Sequence, residues 1–223
     1  MEPSPRQLPR WLPAAALASL ALLLAGLAWA VWRALPPRVP DVGEAATLLA
    51  VPMELPDFQL TDQRGMPFDA SRFAGRWSFV FFGYTFCPDV CPNTLSSLRD
   101  LYEMLAKADG GNRDPLQVVF VSVDPERDTA ARLAEYLPYF HPDFVGVTGA
   151  PEQIARLTSA LGVYHARAED SGANDTNYLV NHSSAVLLLG PDARLRAIFP
   201  HPEKPEPMAR SFEKIRDFYG ASG

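Results

Sequence analysis

Trp77–Tyr84, WSFVFFGY, is a nearly continuous apolar run, too hydrophobic for a strand with one face in water. It needs cover on both sides. Directly after it come Cys87 and Cys91, the two cysteines of the chain, and then Leu95, Leu98, Tyr102 and Leu105 at helical spacing. A buried strand that hands over to a helix at a pair of thiols leaves few architectures open, and it puts reactive groups at the helix N-terminus.

The neighbouring segments extend the pattern. Phe58–Thr61, a polar turn at Asp62–Gly65 and Met66–Phe68 read as a short hairpin. Leu116–Val123 is a second buried strand, and Leu133, Tyr136, Leu137 and Phe140 mark a helix that Pro138 ends or distorts. Asp143–Thr148 reads as a short strand, and Ile154, Leu157 and Leu161 as a helix closed by Gly162. Val163–Ala168 reads as another strand, and the polar Glu169–Asn177 as a mobile loop. Ser184–Leu189, a Gly190-Pro191-Asp192 turn and Arg194–Phe199 form an antiparallel hairpin, and Met208, Phe212, Ile215 and Tyr219 share one face of a last helix. Strands alternating with helices and closing on a hairpin and a helix define an α/β, thioredoxin-like fold with an N-terminal β-hairpin, over residues 57–223.

Upstream, Trp11–Trp32 holds 22 residues without a charge, and about 20 suffice to cross the hydrocarbon core as a helix. Ala28-Trp29-Ala30 resembles a cleavage site, yet the run is longer than a signal core and has tryptophans near both ends. Residues 11–32 therefore read as a retained single transmembrane helix, with 1–10 cytoplasmic and the domain facing the periplasm or cell exterior. Five prolines, Pro36, Pro37, Pro40, Pro52 and Pro56, make 33–56 read as a tether.

The chain carries 20 basic and 26 acidic residues, and setting aside Arg6, Arg10, Arg33, Arg38 and Glu2 leaves 16 and 25 on residues 39–223. That charge of −9 repels phosphate backbones and excludes nucleic acid as a partner.

The thiol pair has three chemical uses: a structural disulfide, a redox dithiol, or part of a metal site. A helix N-terminus lowers a thiol's pKa. Residues four apart on a helix share a face with Cβ atoms about 5–6 Å apart, which suits two sulfurs on one metal, whereas a disulfide needs the turn to tighten. Pro88 and Pro92 follow the cysteines and limit the loop's conformations. Among the four histidines, His182 is the strongest third ligand, because it precedes the late hairpin that this fold brings beside the cysteines. His141 reads as a helix-end cap, His165 as part of an edge strand and His201 as a loop residue.

Three motifs, Gly83-Tyr84-Thr85-Phe86-Cys87-Pro88-Asp89-Val90-Cys91-Pro92, Ser122-Val123-Asp124-Pro125-Glu126-Arg127-Asp128-Thr129 and Tyr178-Leu179-Val180-Asn181-His182-Ser183, resemble those of the Sco/SenC copper proteins. The resemblance runs from about Leu55 to Tyr219 and implies copper as cofactor, with Cys87, Cys91 and His182 as metal ligands. It further implies a membrane-anchored chaperone for the copper A centre of cytochrome c oxidase. The partner is the copper A-bearing subunit, and the role is copper donor, thiol reductant through Cys87 and Cys91, or both. One departure stands out: the residue before the histidine, usually Asp in the family, is Asn181, which keeps hydrogen-bonding capacity but removes a charge. Two soft thiolates and an imidazole suit copper, whereas zinc usually takes a fourth ligand. For the second motif, the first expectation is that Asp124 or Asp128 caps the following helix while Pro125 stiffens the turn, and the alternative is a supporting role beside the metal.

Overall fold

The structure is a computed structural model that describes residues 12–34, 40–109, 115–168, 178–200, 202 and 204–220. Two compact units divide at Val39 and Pro40.

In the first unit, α1 (Leu12–Ala34) carries no charge before Arg33, whose guanidinium lies 4.7 Å from the Trp29 ring centre. Leu17, Leu22 and Leu23 are exposed. Over the described residues, no helix is long and apolar enough to cross a membrane.

The second unit holds, in chain order, β1 (Thr47–Met53), β2 (Leu60–Asp62), β3 (Pro67–Phe68), β4 (Trp77–Gly83), α2 (Val90–Asp109), β5 (Leu116–Ser122), α3 (Ala130–Tyr136), β6 (Val145–Thr148), α4 (Pro151–Ala160), β7 (His165–Arg167), β8 (Val180–His182), β9 (Val186–Leu189), β10 (Leu195–Phe199) and α5 (Pro205–Gly220). Eight strands form one mixed sheet in the order β1-β10-β9-β4-β5-β6-β2-β3. Strands β4, β5 and β6 run parallel, and the remaining neighbours pair antiparallel. The β7–β8 pair forms a separate two-stranded ribbon.

Every residue of β4 is buried, as an all-apolar run at the sheet centre requires. In register across three strands, Phe81 neighbours Phe120 and Phe120 neighbours Gly146, so these residues share one sheet face. Helices cover that face. Trp77 and Phe79 pack on Phe212 of α5 with ring centres 5.6 and 5.3 Å apart, and Leu133 of α3 sits over Gly146, where a Cβ would come within 3.1 Å of it. Pro138 ends α3 in a tight 3₁₀ turn, Leu137–Tyr139, as its missing N–H dictates. Gly162 follows α4 with φ of +67°, a left-handed position that favours glycine.

The stretch read as a tether differs from expectation. Thr47–Met53 pairs with β10 at the sheet edge, and Val42 and Ala46 are buried. The prolines concealed this strand, although an edge tolerates proline: Pro52 falls in the irregular part of the register between Leu48 and Met53. The loop expected at Glu169–Asn177 lies outside the described residues.

Candidate metal centre

Cys87, Cys91 and His182 come together, with Sγ of each cysteine and a ring nitrogen of the histidine all within 4.8 Å of one another. They arrive from two elements. Strand β4 delivers the cysteine loop to the start of α2, where Cys91 is the second residue, and β8 delivers His182 from 91 positions away. Both cysteines are free thiols.

Cys91 is fully buried, while Cys87 is half-exposed. The reason is Gly83, the last residue of β4: a Cβ there would fall 2.9 Å from Cys91 Sγ and 2.8 Å from the Phe120 ring. Glycine lets the sulfur sit directly on the backbone of the central strand. Cys87 Sγ in turn accepts the Cys91 N–H at 3.4 Å, so its sulfur meets an unpaired amide of the helix's first turn.

The histidine's tautomer follows from its partners. His182 Nδ1 lies 3.0 Å from the Ser183 carbonyl oxygen, which only accepts, so Nδ1 carries the proton. Nε2 then turns a lone pair towards Cys91 Sγ, 3.3 Å away. Phe81 and Tyr84 hold the ring edge to face with centres 6.0 and 5.8 Å away.

The thiols are electrostatically unequal. Hydrogen bonding with Cys91, the largest effect, holds the Cys87 thiol well below its ordinary value against partial burial. Cys91 moves the opposite way, pushed up by its hydrogen bond to Cys87 and by burial. These opposite shifts favour one proton shared between the two sulfurs, which a bound metal would replace. Sulfur donors at about 2.3 Å from an ion sit at most about 4.6 Å apart, so the three groups fit one soft ion with little movement.

The second motif does something other than capping. Thr129 caps α3, its Oγ1 accepting the Arg132 N–H at 3.2 Å. Neither Asp124 nor Asp128 serves there, because both carboxylates are buried and engaged elsewhere. Asp128 accepts from Thr85 N–H at 3.0 Å, Thr85 Oγ1 at 2.7 Å and Ser122 Oγ at 2.7 Å, which ties down the loop two residues before Cys87. Asp124 accepts from the Tyr178 hydroxyl and from Arg127 Nε. Tyr178 lies between two guanidinium groups, Arg127 at 3.6 Å and Arg167 at 3.9 Å from its ring centre. The supporting roles of Thr85, Ser122 and Arg127 were not legible in the sequence. Gly83 had a signal, as a glycine inside a buried strand marks a close approach.

The other histidines are not among these three groups over the described residues. His141 accepts the Asp143 N–H at Nδ1 and packs on Tyr102 at 4.8 Å. His165 lies in β7 and His201 outside the described residues. Asn181 is exposed beside an open cleft of about 300 Å³ that also borders Cys87, Pro88, Leu179 and His182. Phe86 and Val90 are also exposed near the cysteines.

Known proteins match this arrangement. The SCO1/SenC family profile matches residues 50–217. A mitochondrial SCO2 homologue from Bos taurus is 37% identical over 199 residues, covering 88% of this chain and 71% of that protein. The crystal structure of Arabidopsis thaliana ScoI with copper bound superposes with a TM-score of 0.67 at 30% identity, covering 74% of this chain and 99% of that one. Bradyrhizobium japonicum ScoI with copper bound gives 0.63 at 32%, covering 73% and 99%. The thioredoxin-like reading of the sheet agrees with these neighbours. The profile spans most of the chain, and the three motifs that it joins in sequence are the ones that meet in space: this chain belongs to the SCO1/SenC family.

Proposed function

We propose that this chain is a membrane-anchored copper chaperone that binds copper through Cys87 Sγ, Cys91 Sγ and His182 Nε2 and assists assembly of the copper A centre of cytochrome c oxidase. The observation that carries the copper reading is the convergence of two thiol sulfurs and an imidazole nitrogen within 4.8 Å. That donor set is soft and nitrogen-bearing, and it suits copper in either oxidation state. Solved relatives named for bound copper share the fold. The partner is the copper A-bearing oxidase subunit, a reading that rests on the family resemblance.

Anchoring rests on the 22 uncharged residues from Trp11 to Trp32, most of which lie within the 23-residue helix α1. About 20 uncharged residues in sequence are what a membrane anchor requires. The domain would then face the periplasm or cell exterior, where protease added to intact cells reaches it and alkaline washing leaves it in the membrane.

The decisive experiment measures metal content and absorption of the reduced full-length chain after copper addition. One copper per chain and a thiolate-to-copper band are expected, and His182→Ala alters the band while the fold persists. Unchanged copper binding in that variant removes His182 from the site.

A second reading is favoured by the unequal thiols. A half-exposed, low-pKa Cys87 beside a buried Cys91 matches an attacking and a resolving thiol. In that role the dithiol gives two electrons and two protons to a partner disulfide and becomes a Cys87–Cys91 disulfide. Turnover of a model disulfide at a rate indifferent to copper would favour it over the chaperone role.

A further inference from the structure

His165 is the cross-strand neighbour of His182 in the β7–β8 ribbon. The ribbon's hydrogen bonds define the kind of pair. Ser183 N–H donates to Tyr164 O at 3.0 Å and Ala168 N–H to Leu179 O at 2.8 Å. Bonded positions in an antiparallel ladder alternate, so the His165–His182 pair occupies a non-bonded position. There the Cα atoms approach to about 4.5 Å and both side chains leave the same face of the ribbon. The register thus puts both histidines on one face of the ribbon, and His182 already points its lone pair into the metal centre.

The second ring is uncommitted. His165 is half-buried and makes no hydrogen bond through its ring to another described residue. A cleft of about 170 Å³, bordered by Val123, Pro125, Tyr178 and Val180, lies beside it, so the ring has space to change rotamer. Its neighbours in the same ribbon are held: Tyr178 by Asp124 and two arginines, His182 by Ser183 and two aromatic rings.

We propose that His165 is a fourth metal ligand, which joins Cys87, Cys91 and His182 when the bound ion is copper(II). The proposal rests on the copper reading above and goes beyond its three-ligand site. Soft sulfur donors satisfy copper(I) with fewer ligands, whereas copper(II) favours a tetragonal set and gains from a second imidazole. A swing of one side chain would then distinguish the two oxidation states of the cargo.

The test uses the full-length chain in detergent, carrying ¹⁵N-labelled histidine and one equivalent of copper(II). Nitrogen hyperfine couplings in the electron paramagnetic resonance spectrum count the imidazoles. Two directly bound nitrogens are expected in the wild type and one in both His165→Ala and His165→Phe, the second of which keeps the ring's bulk. Copper(II) affinity falls by about tenfold or more in both variants, on the scale of ligand-environment changes at metal sites, while copper(I) affinity in a chelator competition is unchanged. A single bound nitrogen in the wild type overturns the proposal, as do two in both variants. A wild-type chain that takes up no copper overturns the copper reading itself, a result separate from these. Circular dichroism and thermal unfolding of each variant establish that the spectral change is not a loss of fold.

Discussion

The hydroxyl of Tyr178 donates to Oδ1 of Asp124 at 2.5 Å, joining the start of the histidine-bearing ribbon to the loop after β5, 54 positions away in the chain. Asp128, four residues on, holds Thr85 of the cysteine loop. The Asp124–Thr129 stretch is therefore a bracket between the two halves of the metal centre, and several expectations follow from its chemistry.

Tyr178→Phe keeps the ring between Arg127 and Arg167 but deletes the donor to Asp124. A buried acceptor left without one partner costs about 1–3 kcal/mol. Urea denaturation should register that loss in the metal-free chain. Because Tyr178 leads into the strand that carries His182, copper affinity in a chelator competition should fall several-fold as well; loss of stability with full affinity would confine the clamp to a folding role.

Gly83→Ala places a methyl group 2.8 Å from Phe120 and 2.9 Å from Cys91 Sγ. Overpacking of this kind costs about 1–3 kcal/mol, and here relief means moving the sulfur. Copper stoichiometry should drop together with thermal stability, whereas Gly26→Ala, where nothing lies within 4 Å of the added carbon, serves as the silent control.

Burial raises the carboxyl pKa of Asp128, and hydrogen bonds from Thr85 and Ser122 only partly oppose it. A group whose pKa is raised in the folded state contributes stability below its unfolded value, about 3.9, and loses it as pH climbs through the folded value. Asparagine does not titrate. The stability of wild type minus that of Asp128→Asn should therefore decline as pH rises from about 4 and then level off. Denaturation curves at a series of pH values test the sign: a difference that grows over this window contradicts the assignment.

The unequal thiols predict selective alkylation. At about pH 6, well under the free-cysteine pKa of about 8.5, iodoacetamide should label Cys87 of the reduced, metal-free chain and spare the buried Cys91. Bound copper should protect both. Peptide mass mapping reads the result, and preferential labelling of Cys91 would reverse the roles given to the pair.

Much of the centre could be read from residues alone, because its strongest signals are local. The all-apolar run of β4, the cysteines after it and the helical spacing of Leu95, Leu98, Tyr102 and Leu105 lie within one short stretch, and each carries its own periodicity. His182 emerged from its place before a recognisable hairpin. Other features depend on distant partners. Strand β1 was hidden by prolines that an edge position tolerates, and Val180–His182 is too short for a period-two pattern. For Asp124 and Asp128 helix capping is preferred over support of the metal site, since a sequence shows an acidic residue before a helix but not a tyrosine or threonine dozens of positions away.

The sulfur of Cys91, seated against the backbone of Gly83, has a consequence for how cargo would leave. Cys91 has no exposed surface, whereas Cys87 lies on the loop that faces the open cleft. The pair would work as a vice with one jaw bolted to the central strand and the other on the cleft side. An incoming thiol would displace the Cys87 bond first, and the ion would pass outward along that side, giving the transfer a direction built into the packing of one glycine.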